Sequence, residues 1–137
     1  MRRLEGPELL AYDVLDPDLA KKVRILQVPV LPRGADGMTI GRWIFLKDDR
    51  DRSGDRQLLA HELVHVRQFA ERGYLRFSFD YLRHYAAGLL RHRRSRQAYL
   101  DIPAEVEARA DAAEWRTRTT TPRGHRSYGE ERDGTFT

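Results

Sequence analysis

The hydrophobic pattern changes period once along the chain. The stretch "VRILQVPVL", Val23 to Leu31, is β-branched and aliphatic and stops at Pro32-Arg33-Gly34, which predicts a strand followed by a turn. "MTIGRWIFLK", Met38 to Lys47, predicts a second strand, with Ile40, Arg42, Ile44 and Leu46 on one face and Thr39, Trp43 and Phe45 on the other. After the polar loop "DDRDRSGD" the rhythm becomes helical. In "RQLLAHELVHVRQFAERG", Leu58, Leu59, Leu63, Val66 and Phe69 recur at helical spacing, with Asp55 or Ser53 placed to cap the start and Gly73 the end. "RFSFDYLRHYAAGLLRHRRSR" predicts a second helix, with Phe77, Tyr81, Tyr85 and Leu89 on one stripe and Leu82, Ala86 and Leu90 beside it. A third starts at Pro103, a residue favoured in a first helical turn, and runs as "PAEVEARADAAEWR" to about Arg116.

The ends lack such a rhythm. Residues 1–22, punctuated by Gly6-Pro7 and Asp16-Pro17, read as a weakly ordered segment with one short helix. Residues 117–137 are polar and aperiodic and read as a flexible tail. The expected domain is therefore 23–116, of class α+β, with a short antiparallel sheet ahead of the helices.

Composition narrows the function more than the fold. At 137 residues the chain can bury one modest core, and 34% charged residues against 40% hydrophobic ones leave it a generous polar surface. No run approaches the roughly 20 apolar residues of a spanning helix. Glu5, Asp13, Asp16 and Asp18 stand where a signal peptide needs its apolar stretch, so the cytoplasm is the expected compartment. There is no cysteine, so any metal must be held by histidine and carboxylate. A net charge of +4 raises the question of nucleic acid, but no reader motif accompanies it and the cations are nearly all arginine, as arginine-biased coding also produces. Nucleic acid is not the expected partner.

The helix "HELVHVRQ", His61 to Gln68, carries the candidate chemistry. Residues four apart project from one helical face, so His61 and His65 can offer imidazole nitrogens to a single ion. Glu62, beside His61, can serve water instead of the ion. Zinc brings the pKa of water from about 15.7 to about 7, and a nearby carboxylate can take the proton and pass it to a leaving amine. H-E-x-x-H supplies that division of labour. A catalytic site of this kind wants a third protein ligand from another element, and the candidates are His84, His92, His125 and the carboxylates of the third helix.

"LLAHELVHVRQ", preceded by a strand ending "IFLK" and followed some forty residues later by "AYLDIPAEVEARA", resembles the short gluzincin-like zincins. It is similar in particular to the metallopeptidase-like core domain associated with extracellular contractile injection systems. The resemblance rests on His61, Glu62, His65 and Gln68 and on Pro103, Glu105, Glu107 and Ala108, and covers roughly Met38 to Ala112. It departs from the family at Ala104, where a bulky residue is usual. It implies a zincin-like fold and a zinc ion held by both histidines and a glutamate of the later helix. Glu105 and Glu107 lie about 200° apart around a helix, so only one can face the ion. The small face of Ala104, Ala108, Ala112 and Trp115 favours Glu105, whereas "EARAD" from Glu107 to Asp111 resembles the ligand run of other gluzincins, with Asp111 positioned to hold a ligand histidine.

Other residues admit two readings. Tyr99 can donate to an oxyanion, or pack as an aromatic with its hydroxyl at the surface. Gln68 can orient a neighbouring group or face solvent, and His84 and His92 read as solvated surface. Arg91 to Arg96, four arginines in six residues, can complement a helix end or meet an acidic partner. Trp43 and Phe45 read as core, although an edge strand at that place can pair with an extended substrate. The expected function is zinc-dependent hydrolysis of a peptide or protein substrate, with Glu62 as general base. The alternative is a non-catalytic, zinc-stabilised module that binds an acidic partner or nucleic acid through its arginines.

Overall fold

The computed structural model describes residues 1–120. Three four-residue strands, β1 (Arg24–Gln27), β2 (Gly37–Ile40) and β3 (Trp43–Leu46), lie in the order β1-β3-β2. β2 and β3 pair antiparallel, whereas β1 runs parallel to β3. The sheet is thus mixed, not antiparallel as expected. The stretch expected as one strand from Met38 to Lys47 is a hairpin that reverses at Gly41, whose φ of 64° is open to glycine at little steric cost. β1 stops at Gln27 instead of Leu31, since Pro29 has no N–H to extend the ladder.

The hairpin redistributes the faces. Ile25, Ile44 and Leu46 point inward and are buried, while Trp43 is 42% exposed and Phe45 half-buried on the outer face. The core role expected of those two aromatics is not what the fold gives them. β3, which precedes the motif helix, is the central strand; β2 lies at the end of the sheet.

Four helices follow: α3 (Gln57–Arg72), α4 (Tyr74–His92), α5 (Ser95–Leu100) and α6 (Pro103–Thr120). α3 is the centre of the molecule. Its Leu59, Ala60, Leu63, Val64 and Val66 pack between the inner face of the sheet and Ala108, Ala112 and Trp115 of α6. The alanines of α6 let the two helices approach closely. Gly73 ends α3 as its position predicts, with φ 83° and its N–H donating to the Phe69 carbonyl at 2.8 Å. The start differs from expectation. Neither Asp55 nor Ser53 caps it; the Arg56 N–H donates to the Tyr12 hydroxyl at 2.8 Å, Asp55 receives Arg116, and the Ser53 hydroxyl donates to Asp51.

Residues 1–22 are also more than the weakly ordered segment expected. They form α1 (Gly6–Ala11) and α2 (Pro17–Ala20), and Leu4, Tyr12, Val14, Leu15 and Ala20 join the main core. The Tyr12 and Trp115 rings lie 5.0 Å apart, and the Trp115 indole donates to the Ala11 carbonyl at 2.9 Å. Arg2 pairs with Ile25 beside β1 and reaches the buried carboxylates of Glu8 and Asp49 at 2.6 and 2.7 Å. These partners are remote in sequence, so no local rhythm announces them.

A smaller cluster of Phe77, Ile102 and Ala104, flanked by Phe69, Tyr81, Tyr85 and Tyr99, joins α4 to the start of α6. Gly88 of α4 sits against Ala98 of α5, where an added Cβ would come within 3.0 Å of backbone. α6 continues past the expected end near Arg116 to Thr120, taking in the first residues of the expected tail; the rest of that tail, 121–137, lies outside the described residues. Among the described residues no helix is long and apolar enough to cross a membrane.

Candidate metal centre

α3 and α6 pack antiparallel, which sets one face of the motif helix against the first turns of α6. His61, His65 and Glu105 each offer a ligand atom there, all within 4.8 Å of one another. His61 Nε2 lies 3.0 Å from Glu105 Oε1 and His65 Nε2 lies 3.1 Å from Glu105 Oε2. Glu105 and His65 are buried and His61 is half-buried.

Gln68 settles which nitrogen of His65 is available. Its amide nitrogen donates to the Ala104 carbonyl at 3.0 Å and to Glu107 Oε1 at 2.5 Å, so its oxygen must be the atom 2.7 Å from His65 Nδ1. An oxygen can only accept, so Nδ1 carries the proton and Nε2 is directed at Glu105. With its proton on Nδ1, His65 Nε2 faces a Glu105 oxygen acceptor to acceptor, so a further proton or a metal ion must lie between them. The donor set of two imidazoles and a carboxylate fits a divalent metal of the zinc type.

The structure thus brings together His61, His65 and Glu105 and leaves Glu107 out. Glu107 is about half exposed, accepts from Gln68 and lies 3.9 Å from Arg67. Its candidacy as a ligand is corrected by the turn of the helix: two residues on from Glu105, it points to the side of α3 and not between the histidines. Asp111, expected to hold a ligand histidine if Glu107 were the ligand, pairs with Arg67 at 2.6 Å. His84 is half-buried beside Arg83, and His92 pairs with Asp101 at 2.5 Å, so neither joins the cluster. His125 lies outside the described residues.

Glu62 is buried next to the cluster but faces the sheet. Its Oε1 accepts from the Thr39 hydroxyl at 2.8 Å, and β2 can approach this closely because residue 37 is glycine; a Cβ there would stand 3.2 Å from Glu62 Cγ and Oε2. Burial raises the Glu62 carboxyl above its ordinary range, opposed by the nearby histidines and Thr39. Burial would also raise Glu105, but hydrogen bonds from His61, His65 and Tyr81 outweigh it and hold that carboxyl well below the usual range. For His65 burial disfavours the charge, and the hydrogen bond and charge of Glu105 prevail and raise it.

Two tyrosines complete the surroundings of Glu105. Tyr99 donates to Oε1 at 3.0 Å and Tyr81 to Oε2 at 2.7 Å. Burial, and then the charge of Glu105, push both phenols up, so they remain hydrogen-bond donors at neutral pH. Tyr99 therefore stands at the cluster. Tyr81, Thr39 and Gly37 were not legible as site residues. Tyr81 reads from sequence as one member of an aromatic stripe, and its only further signal is that a buried phenol needs a partner.

Residues 32–73 match the family model described as eCIS core domain. The match takes in β2, β3 and α3, hence His61, Glu62, His65 and Gln68, and ends before Tyr81, Tyr99 and Glu105. No curated protein and no solved structure matches the chain.

Proposed function

We propose that the chain is a zinc-dependent peptide hydrolase of the zincin type, in which His61, His65 and Glu105 hold the metal. The observation that carries the reading is the convergence of those three ligand atoms from two helices, with Glu62 buried alongside as a carboxylate outside the ligand set. A zinc ion held there would supply Lewis-acid polarisation of a carbonyl and would acidify water near it.

The rest of the chemistry belongs to side chains of this chain. Glu62, kept by burial at a higher affinity for protons than a surface glutamate, accepts a proton and returns it to a leaving amine. Thr39 fixes the direction of its carboxylate. Gln68 fixes the ring of His65, and through Nδ1 raises the basicity of the nitrogen left for the metal. Tyr99 and Tyr81 donate to Glu105, and either hydroxyl, on turning from that carboxylate, would be the donor to an oxyanion. An extended peptide substrate would add to β2, the end strand nearest Glu62.

Metal analysis with a peptidase assay tests this directly. Protein purified without added metal should carry near-stoichiometric zinc, and His65→Ala and Glu105→Ala should lose it while Glu107→Ala keeps it. Glu62→Gln should retain the metal and lose about 10²- to 10⁴-fold in hydrolysis. A folded, metal-free wild type, or a Glu62→Gln variant with full activity, would sink the reading.

A further inference from the structure

α4 has two apolar faces, and the fold uses one. Phe77, Tyr81 and Gly88 face the neighbouring helices. On the opposite side Leu75, Phe79, Leu82 and Leu90 are 81%, 66%, 65% and 82% exposed. With Ala86 they fall within an arc of about 80° at the 100° per residue of an α-helix, a ridge roughly 22 Å long from Leu75 to Leu90. Scattered exposed leucines need no explanation, but a continuous stripe of them marks an interaction surface.

Charge says what kind of surface it meets. Arg76 and Arg83 form the shoulder adjoining the stripe, and Arg91, Arg93, Arg94 and Arg96 crowd its C-terminal end. Asp80 is the one acidic residue of residues 74–96; against six arginines it leaves the segment with a net charge of five, more than the +4 of the whole chain. Asp80 is already engaged, 3.6 Å from Arg83 and 4.0 Å from Arg76. The excess positive charge of the molecule is therefore gathered on α4, which carries the unpartnered apolar face, and on the turn and first residues of α5 that follow it. At the N-terminal end of the ridge the hairpin tip at Gly41 packs beside the Tyr74 ring, so half-exposed Tyr74, Ile40 and Trp43 extend the surface with residues suited to a polar–apolar boundary.

From this combination we infer that α4 docks on an anionic lipid surface, with Leu75, Phe79, Leu82 and Leu90 entering the acyl boundary and the arginines meeting acidic headgroups. A long apolar ridge one helix wide, with cations on its polar side, is the geometry of a helix lying in a bilayer interface. A second copy of the chain is a poor occupant, since face-to-face packing would oppose the two arginine shoulders with only the paired Asp80 to offset them.

Flotation of the full chain with large unilamellar vesicles tests the inference. The protein should float with vesicles of phosphatidylcholine containing phosphatidylglycerol and not with phosphatidylcholine alone, and raised salt should weaken it. Phe79→Ser with Leu82→Ser should reduce binding at least about tenfold per residue. Arg91→Gln with Arg94→Gln should reduce it about fivefold per residue. All four positions are exposed, so unchanged circular-dichroism melting will show that the variants fold. The inference is overturned if the folded wild type ignores phosphatidylglycerol, or if the serine pair binds as well as wild type, which would mean charge alone. It is equally overturned if the wild type ignores vesicles but sediments as a dimer that the serine pair dissociates, or binds an acidic amphipathic peptide instead.

Discussion

α3 and α4 follow one another across a single glycine and have similar lengths, yet they are used in opposite ways. α3 buries eight of its sixteen residues, among them Glu62, His65 and Gln68. α4 buries two of nineteen, Phe77 and Gly88. Packing on several sides holds the polar residues of α3 in single orientations, as a site that must align a carboxylate, an imidazole and an amide requires. α4 is held along one side and leaves its other apolar side to solvent, as a docking surface requires. Apolar content alone does not separate the two; what separates them is whether the sheet and α6 close over the helix.

The sharpest way to break that contrast is to remove equal volumes from both helices. Leu63→Ala, in the fully packed centre of α3, should cost about 2–5 kcal/mol of stability, since the sheet above and Ala108 and Ala112 below leave little room for collapse. Urea unfolding measures this. A loss under about 1 kcal/mol would mean that α3 is not the keystone its burial describes.

A smaller effect should come from the ionic cluster that ties the N-terminal segment to the loop ahead of α3. Asp49 is buried and receives hydrogen bonds from Arg2 at 2.7 Å and Arg56 at 2.9 Å. Burial works against its charge, and the two arginines outweigh it, so Asp49 titrates below the ordinary carboxylate range. Its native pKa being the lower one, its contribution is complete above the unfolded value of about 3.9 and is lost as pH falls through the folded value. Asp49→Asn should cost about 3 kcal/mol at neutral pH and flatten the acid limb of stability against pH. An acid limb unchanged in the variant would assign the pH dependence to other carboxylates.

What the sequence made legible follows from the range of the interactions involved. His61, Glu62 and His65 lie within one turn of helix and Glu105 on a small-residue face, so spacing and a wheel placed them together. Gly73 announced the end of α3 for the same local reason. The hairpin at Gly41 is hidden because Ile40, Ile44 and Leu46 alternate along the sequence like one continuous face, whereas the pairing of Ile40 with Trp43 puts Ile40 on the face opposite Ile44 and Leu46. Tyr12, Tyr81 and Thr39 were lost because each acts on a partner far along the chain, Arg56, Glu105 and Glu62 respectively. Between Glu105 and Glu107 the small face of the helix already favours Glu105, and the packed pair of helices sets Glu105, not Glu107, beside the two histidines.

The smallest expected effect is the most discriminating for α4. Leu82→Ala deletes the same atoms as Leu63→Ala, from a side chain that is 65% exposed. If the ridge is open in the isolated molecule, the deletion removes almost no buried contact and stability should change by less than about 0.5 kcal/mol. Measured in water and again with phosphatidylglycerol vesicles, the variant should match wild type in the first case and lag behind it in the second, because only there is the leucine covered. A loss of several kcal/mol in water alone would show that the ridge is already packed in solution, against a second copy or another part of the chain, and α4 would then belong to the core as α3 does.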